Sequence, residues 1–89
     1  MSSFSYLKNL PVDFLKIDGT FVRDVVHDSV DHAMVSAINQ IGQTMGIQTI
    51  AEFVESQQVL EELKKIGVNY VQGFHIQKPF PMSDLYKSA

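Results

Sequence analysis

The chain contains no cysteine. Disulfides and thiolate chemistry are therefore excluded, and the absence fits a reducing compartment. Charge is also scarce: 19% of residues are charged, below the usual quarter of a globular protein. A low charge fraction in a short chain points to a surface that is meant to be covered. The net charge of −3 shows no basic excess, so nothing points to a nucleic-acid polymer as partner. No stretch approaches the ~18 uninterrupted apolar residues of a membrane span. The start, Met1 to Tyr6, has neither the basic nor the apolar region of a signal peptide. These absences predict a soluble, cytoplasmic protein. What is present is a hydrophobic fraction of 45% over 89 residues, which argues against disorder and fits one small domain or a piece of a larger one.

Helix stops and apolar runs alternate along the chain. Ser2 or Ser3 can cap a short helix that Pro11 ends. Val12 to Asp18 reads as a strand with a polar end, and Gly19 and Thr20 open a loop. Asp28 or Ser29 can cap a long helix whose apolar positions Val30, Met34, Ala37, Ile38, Ile41 and Met45 have helical spacing. Gly46 sits where a helix-ending glycine belongs. Ile47 to Val54 is the second strand. Ser56 caps a third helix with Val59, Leu60, Leu63 and Ile66 on one face, and Gly67 ends it. Val68 to Ile76 is the third strand, Lys78 to Pro81 a loop, and Met82 to Ala89 a last short helix.

The stretches that begin at Pro11, Gly46 and Gly67 resemble one another: a helix stop, a β-branched residue, a short polar residue, then an apolar strand. Alternating helices and strands predict parallel strands joined by right-handed crossovers. Continuous apolar runs suit strands buried on both faces. Three such units leave the inner sheet face and both edges open. A doubly wound sheet would need helices on both faces, and these are few. A closed barrel needs eight units and ~250 residues. Polar residues at the strand ends favour the barrel, because barrel chemistry sits at the C-terminal ends of strands.

Those polar residues are the candidate chemistry. Lys16 and Asp18 end the first strand two residues apart, on one face. Glu52 and Glu55 end the second, and Gln72 lies on the third. A lysine and carboxylates converging on one rim could hold a divalent metal and a phosphate. Strands also end in polar residues simply because the chain is reaching solvent, and the pattern alone leaves that reading open. Aligning the three helix stops places Lys16 level with Gln72 but Glu52 level with Ile17. Strict alternation would then turn Glu52 to the opposite face, unless a bulge or a one-residue offset restores it. His27 and His32 span a helix start and form no metal pair, and His75 stands apart.

Three segments carry a family resemblance. Leu10 to Asp18 resembles the lysine-bearing strand of EAL domains. Thr49 to Glu55 resembles their late double-glutamate strand. Tyr70 to Phe74, followed by Lys78 to Pro81, resembles their last barrel strand and its loop. The order and intervals agree across essentially the whole chain. The resemblance implies a partial TIM-type (β/α) barrel with parallel strands, comprising about its last three βα units, so that residues 1–89 are a C-terminal fragment of an EAL domain. It implies a parent that hydrolyses cyclic di-GMP to linear pGpG with Mg²⁺ or Mn²⁺. By the same resemblance, Glu52 is the metal-binding glutamate and Lys16 lies near the hydrolytic water and scissile phosphate. Glu55 is a supporting glutamate, Gln72 lies near the ligand, and Asp18 is the aspartate that follows the lysine. Phe53 departs from the pattern, because the family most often has glycine there.

The family's Glu-Ala-Leu strand and most of its metal ligands have no counterpart in these residues. The expected partners are therefore the missing N-terminal part of the barrel and, in the complete domain, cyclic di-GMP. The isolated chain is expected to be inactive and to form a homo-oligomer. Two other readings stand beside this one. A degenerate EAL module would bind cyclic di-GMP or a protein without hydrolysis. An unrelated small α/β interaction domain would cover its own sheet.

Overall fold

The computed structural model describes residues 14–73 and 76–85. The short helix expected before Pro11 lies outside them. Strand β1 spans Phe14–Ile17. Asp18 then caps a single helical turn, α1, Gly19–Val22, where a loop was expected. Asp28 caps the long helix α2, Ser29–Met45, by accepting from the Val30 and Asp31 N–H groups at 2.8 and 3.0 Å. Gly46 ends it in the left-handed conformation. Strand β2 is Gln48–Ala51. Ser56 caps helix α3, Gln57–Ile66, and Gly67 ends it in the same way as Gly46. Strands β3, Tyr70–Gly73, and β4, Ile76–Pro81, lead to a final turn, α4, Met82–Leu85.

The sheet order is β1-β2-β3-β4. The pairs β1–β2 and β2–β3 are parallel, as the helix-strand alternation requires. The last pair differs from expectation. Residues 78–81 are not a loop, and the third strand does not continue to Ile76. Instead Ile76–Pro81 turns back antiparallel to β3, with Val71 opposite Phe80 and Gly73 opposite Ile76. The physical reason is the bare edge of β3, whose N–H and C=O groups would otherwise lack partners. Pro79 and Pro81 are tolerated because β4 is itself an edge strand.

The core lies between the sheet and the helices. Ile17, Ala51 and Val71 stand in register on three neighbouring strands, and each is fully buried. Val22, Val25, Val35, Val59 and Leu63 pack against them, with Ile66 and Leu60 at the margin. The third helix thus buries the face its spacing indicates. Helix α2 does not. Its buried residues are Val35, Asn39 and Gly42, while Val30, Met34 and Ile41 are exposed at 68%, 39% and 53%. Two observations explain the rotation. A Cβ at Gly42 would lie 2.6 Å from Thr49 Cγ2, so only glycine lets the helix approach β2 this closely. Asn39 also anchors a buried polar network. Its Oδ1 accepts from Thr49 Oγ1 at 2.6 Å, and its Nδ2 donates to the Ile66 carbonyl at 3.1 Å. Asn69 Oδ1 accepts from Thr49 N–H at 3.0 Å and from Gln43 Nε2 at 2.8 Å. Burying polar atoms demands partners, and here the partners decide which face of α2 turns inward.

The network joins α2, β2, the end of α3 and the start of β3. Asn39→Ala should therefore destabilise the chain by about 1–3 kcal/mol, since it leaves a helix-end carbonyl without its donor and leaves the buried Thr49 hydroxyl only the longer bond to Asn69 Oδ1, at 3.3 Å. Val30→Ala, on the exposed face, should cost less than about 0.5 kcal/mol. Urea midpoints at matched protein concentration check the pair. Equal losses would mean that the network does not orient the helix.

Candidate functional site

Side chains alternate along a strand, so the burial of Ile17, Ala51 and Val71 beneath the helices fixes the other face. That face carries Phe14 and Lys16 from β1, Ile50 from β2, and Tyr70 and Gln72 from β3. Lys16 is paired with Ile50, and Ile50 with Tyr70. The Phe14 and Tyr70 rings meet edge to face at 5.1 Å across the intervening strand, which leaves Ile50 only 2% exposed.

The offset that the sequence alignment left open is resolved by this register. Ile17 pairs with Ala51, not with Glu52. The Glu52 N–H then donates to the Ile17 carbonyl at 3.1 Å, which continues the ladder one residue further and sets Glu52 level with Asp18. Lys16, Glu52 and Gln72 consequently share one parity at the C-terminal ends of three adjacent parallel strands. A one-residue offset achieves this, and no bulge is needed before Glu52.

An irregularity does follow Glu52. Phe53 adopts φ +58°, and it is the one described non-glycine residue with a positive φ. The Val54 N–H donates to the Gln72 carbonyl at 3.0 Å, so β2 uses three steps from Ala51 to Val54 where β3 uses two. Phe53 is the extra residue. A left-handed backbone strongly favours glycine, which accounts physically for the glycine that EAL domains most often have here. The same segment is packed between two real glycines. A Cβ on Gly19 would collide with the Phe53 ring, and one on Gly73 would lie 2.6 Å from the Val54 nitrogen.

The surroundings of the candidate residues differ. Lys16, Asp18 and Glu55 are exposed, whereas Glu52 and Gln72 are half-buried. Asp18 Oδ1 accepts from the Thr20 N–H at 2.8 Å and from the Thr20 hydroxyl at 2.9 Å. These two bonds hold its carboxyl below the usual carboxylate range, against a small opposing effect of burial. A depressed folded-state value means that the bonds stabilise the α1 turn above the ordinary aspartate range and lose that effect as pH falls. Asp18 thus has a local structural use besides any role toward a ligand.

The residues present do not by themselves form a metal centre. Among the described residues, no three His, Cys, Asp or Glu side chains gather as a metal ion would require. Glu52 can offer one oxygen donor, and Asp18 is engaged by Thr20. His32, which the sequence left without a task, pairs through Nε2 with Glu62 Oε2 at 2.8 Å and ties α2 to α3. An open pocket of about 360 Å³ lined by Gln48, Lys64, Asn69, Tyr70 and Met82 lies at the N-terminal ends of β2 and β3. None of the candidate residues lines it. Lys16, Glu52 and Gln72 lie instead on one face at the C-terminal strand ends. Among the described residues, no helix is long and apolar enough to cross a membrane.

Comparison with known proteins agrees with this geometry. The EAL domain family matches residues 1–79. The chain is similar to the cyclic di-GMP phosphodiesterase PdeB of Shewanella oneidensis, with 45% identity over 82 residues, which are 92% of this chain and 10% of that protein. It is similar to the bifunctional diguanylate cyclase/cyclic di-GMP phosphodiesterase MucR of Pseudomonas aeruginosa, with 44% identity over 88 residues, 99% of this chain and 13% of that protein. Among solved structures, the PaMucR phosphodiesterase in complex with c-di-GMP superposes with a TM-score of 0.75 at 44% identity, covering 96% of this chain and 34% of that one. The chain therefore spans a small part of the length of its relatives.

Proposed function

Because the chain belongs to the EAL domain family, we propose that its 89 residues supply about the last three βα units of a TIM-type barrel that hydrolyses cyclic di-GMP to pGpG. The observation that carries the reading is the shared parity of Lys16, Glu52 and Gln72 at the C-terminal ends of three adjacent parallel strands, where barrel enzymes keep their chemistry. The relatives named as cyclic di-GMP phosphodiesterases support the substrate. The family implies dependence on a divalent metal, and Mg²⁺ or Mn²⁺ suits carboxylate ligands. Glu52 contributes one such ligand, and the rest of the barrel contributes the others. Lys16 places a positive charge where a phosphate oxygen or the attacking water would lie. Gln72 and Asp18 border the ligand, and Glu55, further along the same segment, supports Glu52. The complete domain works in the cytoplasm.

On this reading the chain alone is not an enzyme. Its inner face, with Phe14 exposed at 41%, is made for contact with the remaining strands. Self-association of the isolated chain through that face belongs to the same proposal. The test is an assay of cyclic di-GMP turnover with Mg²⁺ and Mn²⁺, run on the complete domain and on the 89-residue chain. Turnover by the complete domain alone is the expected result. Comparable turnover by the chain would overturn the division of the site. Binding without hydrolysis by the complete domain would identify a sensor.

A further inference from the structure

Phe53 holds φ +58°, a backbone region that bulky side chains avoid and that persists only where the surroundings impose it. Two glycines on the neighbouring strand ends surround it. Gly19 is buried in the turn that Asp18 caps. A Cβ added there would overlap the Phe53 ring, and the three heavy atoms nearest to it would all belong to Phe53. Gly73, after Gln72, would place its Cβ 3.0 Å from the Phe53 Cα. Backbone bonds fix β2 on both sides of this seat. The Glu52 N–H donates to the Ile17 carbonyl before it, and the Val54 N–H donates to the Gln72 carbonyl after it. The backbone bonds of the α1 turn stay inside the turn. Phe21 and Val22 donate to the Asp18 carbonyl, and Arg23 donates to the Gly19 carbonyl. Val22 and Val25 hold the far side of the turn in the core. Its near side, which carries the Asp18 carboxylate, meets the Glu52 segment through the Phe53 ring.

A glycine at position 53 would relax the backbone. It would also set glycine against glycine, leave the space over Gly19 empty and free the turn to shift against Glu52. This chain instead carries a strained phenylalanine whose ring fills that space. We infer that Phe53 is a positioning residue: seated on Gly19, it sets the spacing between the Asp18 turn and Glu52, an inference that rests on the functional reading given above. Phe53 acts through these neighbours and needs no contact with the substrate. Its ring also makes Gly19 obligatory in this chain. Turnover is sensitive to such spacing, since a misplacement of ~1 Å can cost on the order of a hundredfold in rate.

The test measures kcat, KM and the urea midpoint of the complete domain, for the parent, Phe53→Gly, Phe53→Tyr, Gly19→Ala, and Phe53→Gly combined with Gly19→Ala. Phe53→Gly should lower kcat about tenfold through the lost spacing. Its urea midpoint should be no lower than the parent's, because the relaxed backbone offsets the lost contact. Phe53→Tyr keeps the ring on its seat and should hold kcat within about twofold. Gly19→Ala should lower both kcat and the midpoint, because its Cβ meets the ring. Added to Phe53→Gly, the same change should cost almost nothing more in either, because the ring is gone. Losses that simply add in the double variant would overturn the inference. So would an unchanged kcat in Phe53→Gly, or a fall in its kcat matched by a fall in its midpoint. Each of these outcomes leaves the functional reading intact. A parent domain without cyclic di-GMP turnover would remove the functional reading itself, and this inference with it.

Discussion

Lys16→Ala and Glu52→Ala should each reduce cyclic di-GMP turnover by the complete domain well over tenfold, with the fold intact. Both side chains stand on the sheet face away from the helices, outside the core of Ile17, Ala51, Val71 and their neighbours. Their removal therefore opens no core cavity. The expected loss is catalytic. A group that steadies developing charge or holds a metal typically contributes roughly 10²–10³ in rate, which is about 3–4 kcal/mol of transition-state stabilisation. Glu55→Ala should cost less, because Glu55 is exposed and lies beyond the Phe53 irregularity. Turnover and melting temperature of the three variants decide the matter together. Near-normal rates in both Lys16→Ala and Glu52→Ala, in folded protein, would refute the roles given to them.

The parallel strands were legible because each signal was local. A helix stop, a β-branched residue and an apolar run mark a strand wherever they occur, and Phe14–Ile17, Gln48–Ala51 and Tyr70–Gly73 all carry them. Register was not legible, because it depends on the distance from helix stop to first ladder bond. Gln48 begins its strand two residues after Gly46, but its partner Phe14 lies three after Pro11. Aligning the helix stops therefore shifted β2 by one residue against β1 and set Glu52 level with Ile17 instead of Asp18. The face of α2 was misread for a different reason. Apolar spacing pointed to Val30, Met34 and Ile41, but the buried face is set by the hydrogen bonds of Asn39 and by the missing side chain of Gly42. Single-residue hydropathy sees neither. The return strand β4 was missed because two prolines read as a loop, and only the bare edge of β3 makes a strand of them. The positive φ at Phe53 did leave a trace. A position where a family most often has glycine is a position to suspect of a left-handed backbone.

Gly73→Ala should be the most damaging single-methyl change in the chain, with a loss of more than about 3 kcal/mol. Gly73 holds φ +128°, a region that is essentially reserved for glycine and costs other residues about 1–3 kcal/mol. The added Cβ would also lie 2.6 Å from the Val54 nitrogen and 3.0 Å from the Phe53 carbonyl carbon. Those are backbone atoms, so no side-chain rotation relieves the overlap. The strands must separate, and the first bond to suffer is that from the Val54 N–H to the Gln72 carbonyl, now 3.0 Å. That bond fixes the segment carrying Glu52 relative to Gln72, so the same methyl should disturb the site as well as the fold. Gly46→Ala is the control. Gly46 also has a positive φ, of 75°, but nothing lies within 4 Å of its Cβ position. Its loss should be limited to the left-handed penalty of about 1–2 kcal/mol. Urea midpoints of the two variants, taken at one protein concentration, separate conformation from collision. If Gly73→Ala falls no further than Gly46→Ala, the β2–β3 junction yields to the methyl, and the close approach at Gly73 is not what holds Glu52 beside Gln72.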